Sequence, residues 1–536
     1  MAINLISLYS IGLTSLLAAQ SKTGANKEAA GSAPAAPDQP AEPGAVEELV
    51  CQSDSCQALP QTARQFIDYA AGRISQTNDS IRELERQRTE ARKRLYHPNA
   101  GVRALAASLV ADLDGQIAEL KLTVWLSNLD RGTPQSTATL LSNLSTASSG
   151  TGGNRIIYWR AQIAMILASE LENPQVLSAL ASIIGNDTHW EEATDPAVRE
   201  QLALIQIHDQ LLTHQAGPSR GQEINELSLL IGENFFRRAM IAKDQASPSQ
   251  GAPDEETFSS LLARARTFVA HLATASVNAE TGSQAALLGG HRATYIRNSI
   301  EGLQENGDYV YLRREIAWAN LLMANILVQE AENAGSLEQR LDILQNQALP
   351  YLRNTTPLRG MPQLEARRVE ADVWSQIGYL QHDLGRDPGA SFGSALCLQN
   401  EVIAWADDYH SELGTGTPQR WLVKIETSAR ISRAKLIMVL IGDLDVQTPP
   451  ATLCLLADDL QPQDLQVLQH GASETRVLEI QRRLLERQAQ ALTAALDLNY
   501  SYADVSVRIL NPLEQADVKL ALAENLARQA FIARNL

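Results

Sequence analysis

Between Glu365 and Asp408 the apolar positions fall at helical spacing twice over. Val369, Val373, Trp374, Ile377 and Leu380 share one face, and Phe392, Ala395, Leu398, Val402 and Trp405 form a second stripe. The Leu-Gly-Arg-Asp-Pro-Gly run at 384–389 separates them. A helix with one apolar stripe has no partner within itself and must bury that stripe on a neighbour. The pattern therefore predicts two helices joined by a tight turn, and the rest of the chain repeats the theme.

Gln61 to Tyr96 predicts a long helix with Ile67, Ala70, Ile74, Ile81, Leu84, Ala91 and Leu95 on a heptad-like stripe, interrupted by Thr77 and Arg88. At about 1.5 Å per residue this arm would be roughly 50 Å long. The turn at His97 to Gly101 leads to a second arm with Val102, Leu105, Leu109, Leu113, Ile117, Leu120 and Val124 on one side. Residues 61–130 thus predict a long antiparallel helical hairpin packing on itself. A Ser/Thr/Gly-rich linker at 131–155, a helical subarray at 156–246, a second linker at 247–256 and a longer helical array at 257–536 follow. Apolar stripes at Val198–Leu212, Ile224–Ile241, Phe258–Leu272 and Val310–Ala331 carry the helices. Helices expected at 307–334 and 336–354 form a further pair, in which Ile316, Ala319, Met323 and Ile326 could face Leu341, Leu344, Ala348 and Leu352. Ser336 with Gln339 and Asn511 with Glu514 have capping-box spacing. Strand alternation appears only at Tyr502 to Leu510, a segment short and isolated. The expected fold is all-α, an irregular α-solenoid of stacked helical hairpins preceded by the long N-terminal hairpin.

The first sixty residues differ. Ala2 to Ala19 carry no charge and predict a signal peptide or membrane anchor at 1–20, although no Lys or Arg precedes them. Residues 21–60 form an Ala/Pro-rich tether that cannot bury enough apolar surface to offset the entropy of ordering. An exported protein, periplasmic or extracellular, is the expectation, with membrane anchoring through residues 2–19 as a variant and the cytoplasm as the runner-up.

Charge narrows the partners. With 45 basic and 62 acidic residues the chain carries −17, and nucleic-acid binding needs concentrated positive charge to displace counterions from phosphate. Its basic cluster, Arg82 to Arg94, is interleaved with Glu83, Glu85 and Glu90 and fits a solvated helix face. No nucleic acid is expected. Cys51 and Cys56, in C-x4-C spacing, are close enough for a small disulfide in an oxidising compartment. Cys397 and Cys454 lie inside apolar helical patterns, as small core residues would.

Trp374, Ile377 and Gly378, with Ala390 sixteen residues after the tryptophan, resemble the first and second helices of a tetratricopeptide repeat. The resemblance implies that Gly378 allows close helix approach and that Ala390 lies at the tight crossing. Gln381, Ser394 and Cys397 depart from that pattern, and steps of thirty-four residues to Arg340 or Asp408 do not restart it.

Candidate chemistry is sparse. His189-Trp190-Glu191-Glu192 has the polar flanks of an exposed loop, and no His-Glu-x-x-His motif occurs. Asp407-Asp408-Tyr409-His410 is the densest titratable cluster; paired carboxylates beside a histidine could act as acid and base, and a solvated helix end is the simpler reading. No catalytic, metal-binding or cofactor-binding residue is assigned. The expected function is a non-enzymatic scaffold binding a protein or peptide through a solenoid surface, with Trp405, Trp421 and Arg420 as anchor residues. A homo-oligomer is compatible with this. The alternatives are a self-assembling component driven by the 61–130 hairpin and an enzyme on a helical toroid using the carboxylates near 407–410.

Overall fold

The computed structural model describes residues 59, 61–127, scattered positions between 164 and 194, 196–215, 221–245, 257–278, 309–355, 358, 361–413, 420–446, 448–502, 505–510 and 512–536. The expected segments 1–20, 131–155 and 247–256, Cys51 and Cys56 of the tether, and Asn511 of the second capping box lie outside them.

The chain is all-α and its helices pack against neighbours as hairpins. α1 (Ala63–Lys93) pairs with α2 (Ala100–Ser127). α3 (Pro196–Gln215), α4 (Gly221–Gln245), α5 (Phe258–Asn278) and α6 (Tyr309–Glu332) pack in succession. α7 runs from Leu337 to Asp342, through a π-helical stretch at Ile343–Ala348, into Leu349–Arg353. That stretch ends two residues before Pro350, whose missing N–H would break a regular α-helical ladder at this place. α8 (Met361–Asp383), α9 (Gly389–Leu413) and α10 (Arg420–Gly442) form a three-helix layer. Two short helices, α11 (Pro450–Leu456) and α12 (Pro462–Gln469), lead to α13 (Glu474–Asp497). A two-stranded ribbon follows, β1 (Asn499–Tyr502) against β2 (Val505–Arg508), antiparallel with Tyr502 opposite Val505. The final helix, α14 (Pro512–Asn535), packs on α13.

The N-terminal hairpin forms as its pattern predicts, with two changes. Thr62 caps α1 by accepting from the Gln65 N–H at 3.2 Å, and the Gln65 side chain accepts from the Thr62 N–H at 3.0 Å, a capping box. Thr77 and Arg88 do not interrupt the seam. Thr77 is buried in it, and Arg88 reaches Asp114 of α2 at 2.9 Å. The second change is on α2: Ala106, Leu113 and Ile117 face inward, whereas Leu105 is 74% exposed and Leu109 is also exposed. Alanine at 106 lets the helices meet closely on a face that excludes Leu105.

The paired stripes of α6 and α7 hold. Ile316, Ala319, Met323 and Ile326 of α6 are buried, as are Leu341, Leu344, Ala348 and Leu352 of α7, and the two helices are packed together. The Ser336 hydroxyl caps α7, accepting from the Gln339 N–H at 3.2 Å. α4 exceeds its predicted stripe, because every residue from Ser228 to Ile241 is buried. A helix buried on all sides must satisfy its polar groups internally. Asn234 donates to the Leu204 carbonyl at 2.8 Å, and Arg237 donates to the Met165 carbonyl at 2.6 Å and pairs with Glu200.

The turn between α8 and α9 sits where the Gly-Arg-Asp-Pro-Gly run places it. Gly385 takes a left-handed φ of 67°, its N–H donates to the His382 carbonyl at 2.9 Å, and the Arg386 N–H donates to the Gln381 carbonyl at 2.8 Å. The tight crossing differs from the expectation. A Cβ on Gly378 would lie 2.3 Å from the Phe392 ring, whereas Ala390 is exposed. The close contact is therefore Gly378 against Phe392, two residues beyond Ala390. Gly378→Ala is expected to cost about 1–3 kcal/mol by overpacking, even after the roughly 1 kcal/mol that alanine gains in helix propensity. In a Phe392→Ala background the same change should be neutral or stabilising, which paired denaturant titrations would show.

Two large apolar clusters divide the array, one centred on α3–α10 and one on α9–α14. Trp374 packs against both.

Candidate functional site: a charged seam through α8, α9 and α10

Glu365, Arg368 and Asp372 follow one another at i+3 and i+4 along α8, so they share a face beside Val369. Arg368 holds Glu365 bidentately, Nε to Oε2 at 2.9 Å and Nη2 to Oε1 at 2.7 Å, and also pairs with Asp372. Ser432 of α10 donates to Asp372 at 2.9 Å. Glu365 and Arg368 are buried. Burial opposes the Arg368 charge, but Glu365 and Asp372 outweigh it and hold the guanidinium above its ordinary value. Glu514, at the start of α14, adds to the same field and meets Lys424 of α10 at 3.6 Å. Burial, with Asp372 nearby, pushes the Tyr379 phenol up.

Beside this cluster, Arg367 meets Glu370 at 3.0 Å. Burial holds the Glu401 carboxyl of α9 above its usual range, with Arg367 working against the shift and Glu370 adding to it. The folded chain therefore takes up this proton more readily than the unfolded one. The associated stability is complete below the ordinary carboxylate range and is lost as pH rises through the raised value. Glu401→Gln should raise Tm at pH 7, and the gain should shrink toward pH 4 in a scan of Tm against pH. Nearby Gln363 is buried with neither amide atom partnered.

The sequence-predicted cluster at 407–410 lies along the same layer; Asp407 and His410 are held by neighbours, and Asp408 is exposed. Asp407 meets Arg430 at 2.6 Å, Arg430 meets Glu426 at 2.8 Å, and His410 Nε2 lies 2.8 Å from Glu426. Tyr409 is fully buried. Among the described residues no three His, Cys, Asp or Glu side chains are grouped so as to hold a metal ion.

The anchor residues fare differently from one another. Trp405 is only 5% exposed, because the N-terminal hairpin covers it. Its indole N–H donates to the Gln61 carbonyl at 2.9 Å, Phe66 of α1 lies 5.8 Å away, and Tyr409 stacks on it at 5.5 Å. The surface expected to receive a partner at Trp405 receives the chain's own α1. Arg420 and Trp421 open α10, and their side chains lie outside the described residues. Trp190, expected in an exposed loop, is fully buried in a short 3₁₀ turn, Trp190–Glu192, where its indole N–H donates to the Gly185 carbonyl at 2.8 Å. The polar flanks His189 and Glu192 stay outside and lie 3.4 Å apart. Cys397 and Cys454 also differ from expectation: both are half-buried and disulfide-bonded, on helices α9 and α11 that pack together. Apolar helical context cannot distinguish a thiol from a half-cystine.

The buried ionic cluster was missed in the sequence because charges at i+3 and i+4 usually mark a solvated face. Its one signal is that Arg368 adjoins Val369 on the inward side of the stripe.

This geometry defines an all-α helical-hairpin array with a seam of paired charges through α8, α9 and α10. Compared with known protein families, curated proteins and solved structures, the chain matches none.

Proposed function

We propose that the chain is a non-enzymatic protein–protein interaction scaffold, exported or membrane-tethered, that binds a protein or peptide through its helical surface. The supporting observation is the stack of helical hairpins from α3 to α14, which offers a long surface of the kind repeat proteins use for recognition. The mutual pairing of Asp407, His410, Glu426 and Arg430 disfavours the enzymatic alternative at 407–410. The tetratricopeptide-like reading has support in the Gly378–Phe392 approach, at a register two residues from that family's pattern. Export has support in the bonded Cys397 and Cys454, since disulfides persist in oxidising compartments. Among the described residues no helix is long and apolar enough to cross a membrane, and the expected anchor at residues 1–20 lies outside them.

Chemical cross-linking of the full chain in its own cells, followed by purification, tests the scaffold reading. One partner recovered at fixed stoichiometry would support it, and recovery of the chain without another protein would overturn it. For the compartment, Cys397 and Cys454 from protein denatured without reductant are expected to resist alkylation. Full labelling of both would remove the support for export.

A further inference from the structure

α14 carries apolar residues on two faces. Val518, Ala521, Asn525 and Ile532 face inward, and Ala516, Leu520, Ala523, Ala527, Ala530 and Phe531 make a second stripe on the opposite side. Leu520 is 69% and Phe531 68% exposed. Contiguous exposed apolar surface of this kind marks an interaction site.

We propose that this face pairs with the same face of a second copy of the chain, the two α14 helices lying antiparallel about a two-fold axis. Self-complementarity carries the assignment. An axis crossing between positions 525 and 526 sets Leu520 of one copy level with Phe531 of the other, and by symmetry does so twice. Leu520 and Phe531 also lean to the same flank of the helix, so the level residues meet side by side. Ala523 and Ala527 occupy the centre, where small residues let the backbones approach. The same register brings Asp517 level with Arg534, giving two cross-copy charge pairs at the ends of the seam. Asp517 already pairs with Lys435 within its own chain, so Arg534 would join an ion pair at the rim. A parallel pairing would set Asp517 against Asp517 and Arg534 against Arg534, which disfavours it.

Analytical ultracentrifugation of the full chain at micromolar concentration tests this. Twice the 58.4 kDa chain mass is expected. Leu520→Glu or Phe531→Glu should weaken pairing by about a hundredfold, because each charge enters the interface twice. Both positions are exposed, so helical circular dichroism should be unchanged. Arg534→Asp should weaken pairing, and Asp517→Arg added to it should restore pairing. A monomeric wild type overturns the proposal. So does a dimer that survives Leu520→Glu and Phe531→Glu, and so does one abolished by Leu105→Glu with Leu109→Glu on the N-terminal hairpin, since either outcome would place the interface elsewhere.

Discussion

Replacing Arg368 with methionine is expected to cost about 3–5 kcal/mol of folding stability, the range for removing one partner of a buried ion pair. The magnitude comes from what is left behind. Glu365 is buried and accepts two hydrogen bonds from Arg368, so the variant strands a carboxylate between α8 and its neighbours. Asp372 fares better, since Ser432 still donates to it. Adding Glu365→Leu to Arg368→Met should recover most of the loss, because well-packed apolar residues commonly match or exceed a buried ion pair. Denaturant unfolding of the two single variants and the double would decide. A single Arg368→Met variant as stable as wild type would mean that water reaches the cluster.

Trp405→Ala is expected to loosen the N-terminal hairpin at a cost of about 3–5 kcal/mol, the usual range for truncating a buried tryptophan. The loss combines the contacts with Phe66 and Tyr409 and the hydrogen bond to the Gln61 carbonyl. Trp405→Phe keeps a ring in place and should cost less. Hydrogen exchange resolves the effect by location: amides of α1 near Phe66 should exchange faster, while those of α13 keep their protection. Uniform loss of protection would show that Trp405 supports the whole array instead of the docking of one hairpin.

Much of the fold was legible because helical periodicity is local. The stripes of α6 and α7, the Ser336 cap and the turn at Gly385 each depend on residues within one or two turns. What periodicity cannot supply is the partner of each face. Trp405 has the composition of an interface anchor and serves as one, but toward α1 of its own chain. Leu105 continues an apolar repeat and is exposed, since the seam of the hairpin is decided by where Ala106 permits close approach. The charged triad on α8 shows the same limit from the other side. Its spacing suits either a solvated face or a buried network, and only the position of α10 settles which. The bonded state of Cys397 and Cys454 depends on tertiary approach as well.

The contact between Gln61 and Trp405 joins residues 344 positions apart. At about 5–20 residues per second, a ribosome that has made Gln61 needs roughly 20–70 s more to make Trp405. The α1–α2 hairpin, whose own contacts are local, can form early in that interval. Until α9 emerges, Phe66 lacks the Trp405 and Tyr409 rings it docks on and remains available to any holding factor. The same long closure makes docking late in refolding, so the hairpin should be the last part to join and the first to leave under mild denaturant.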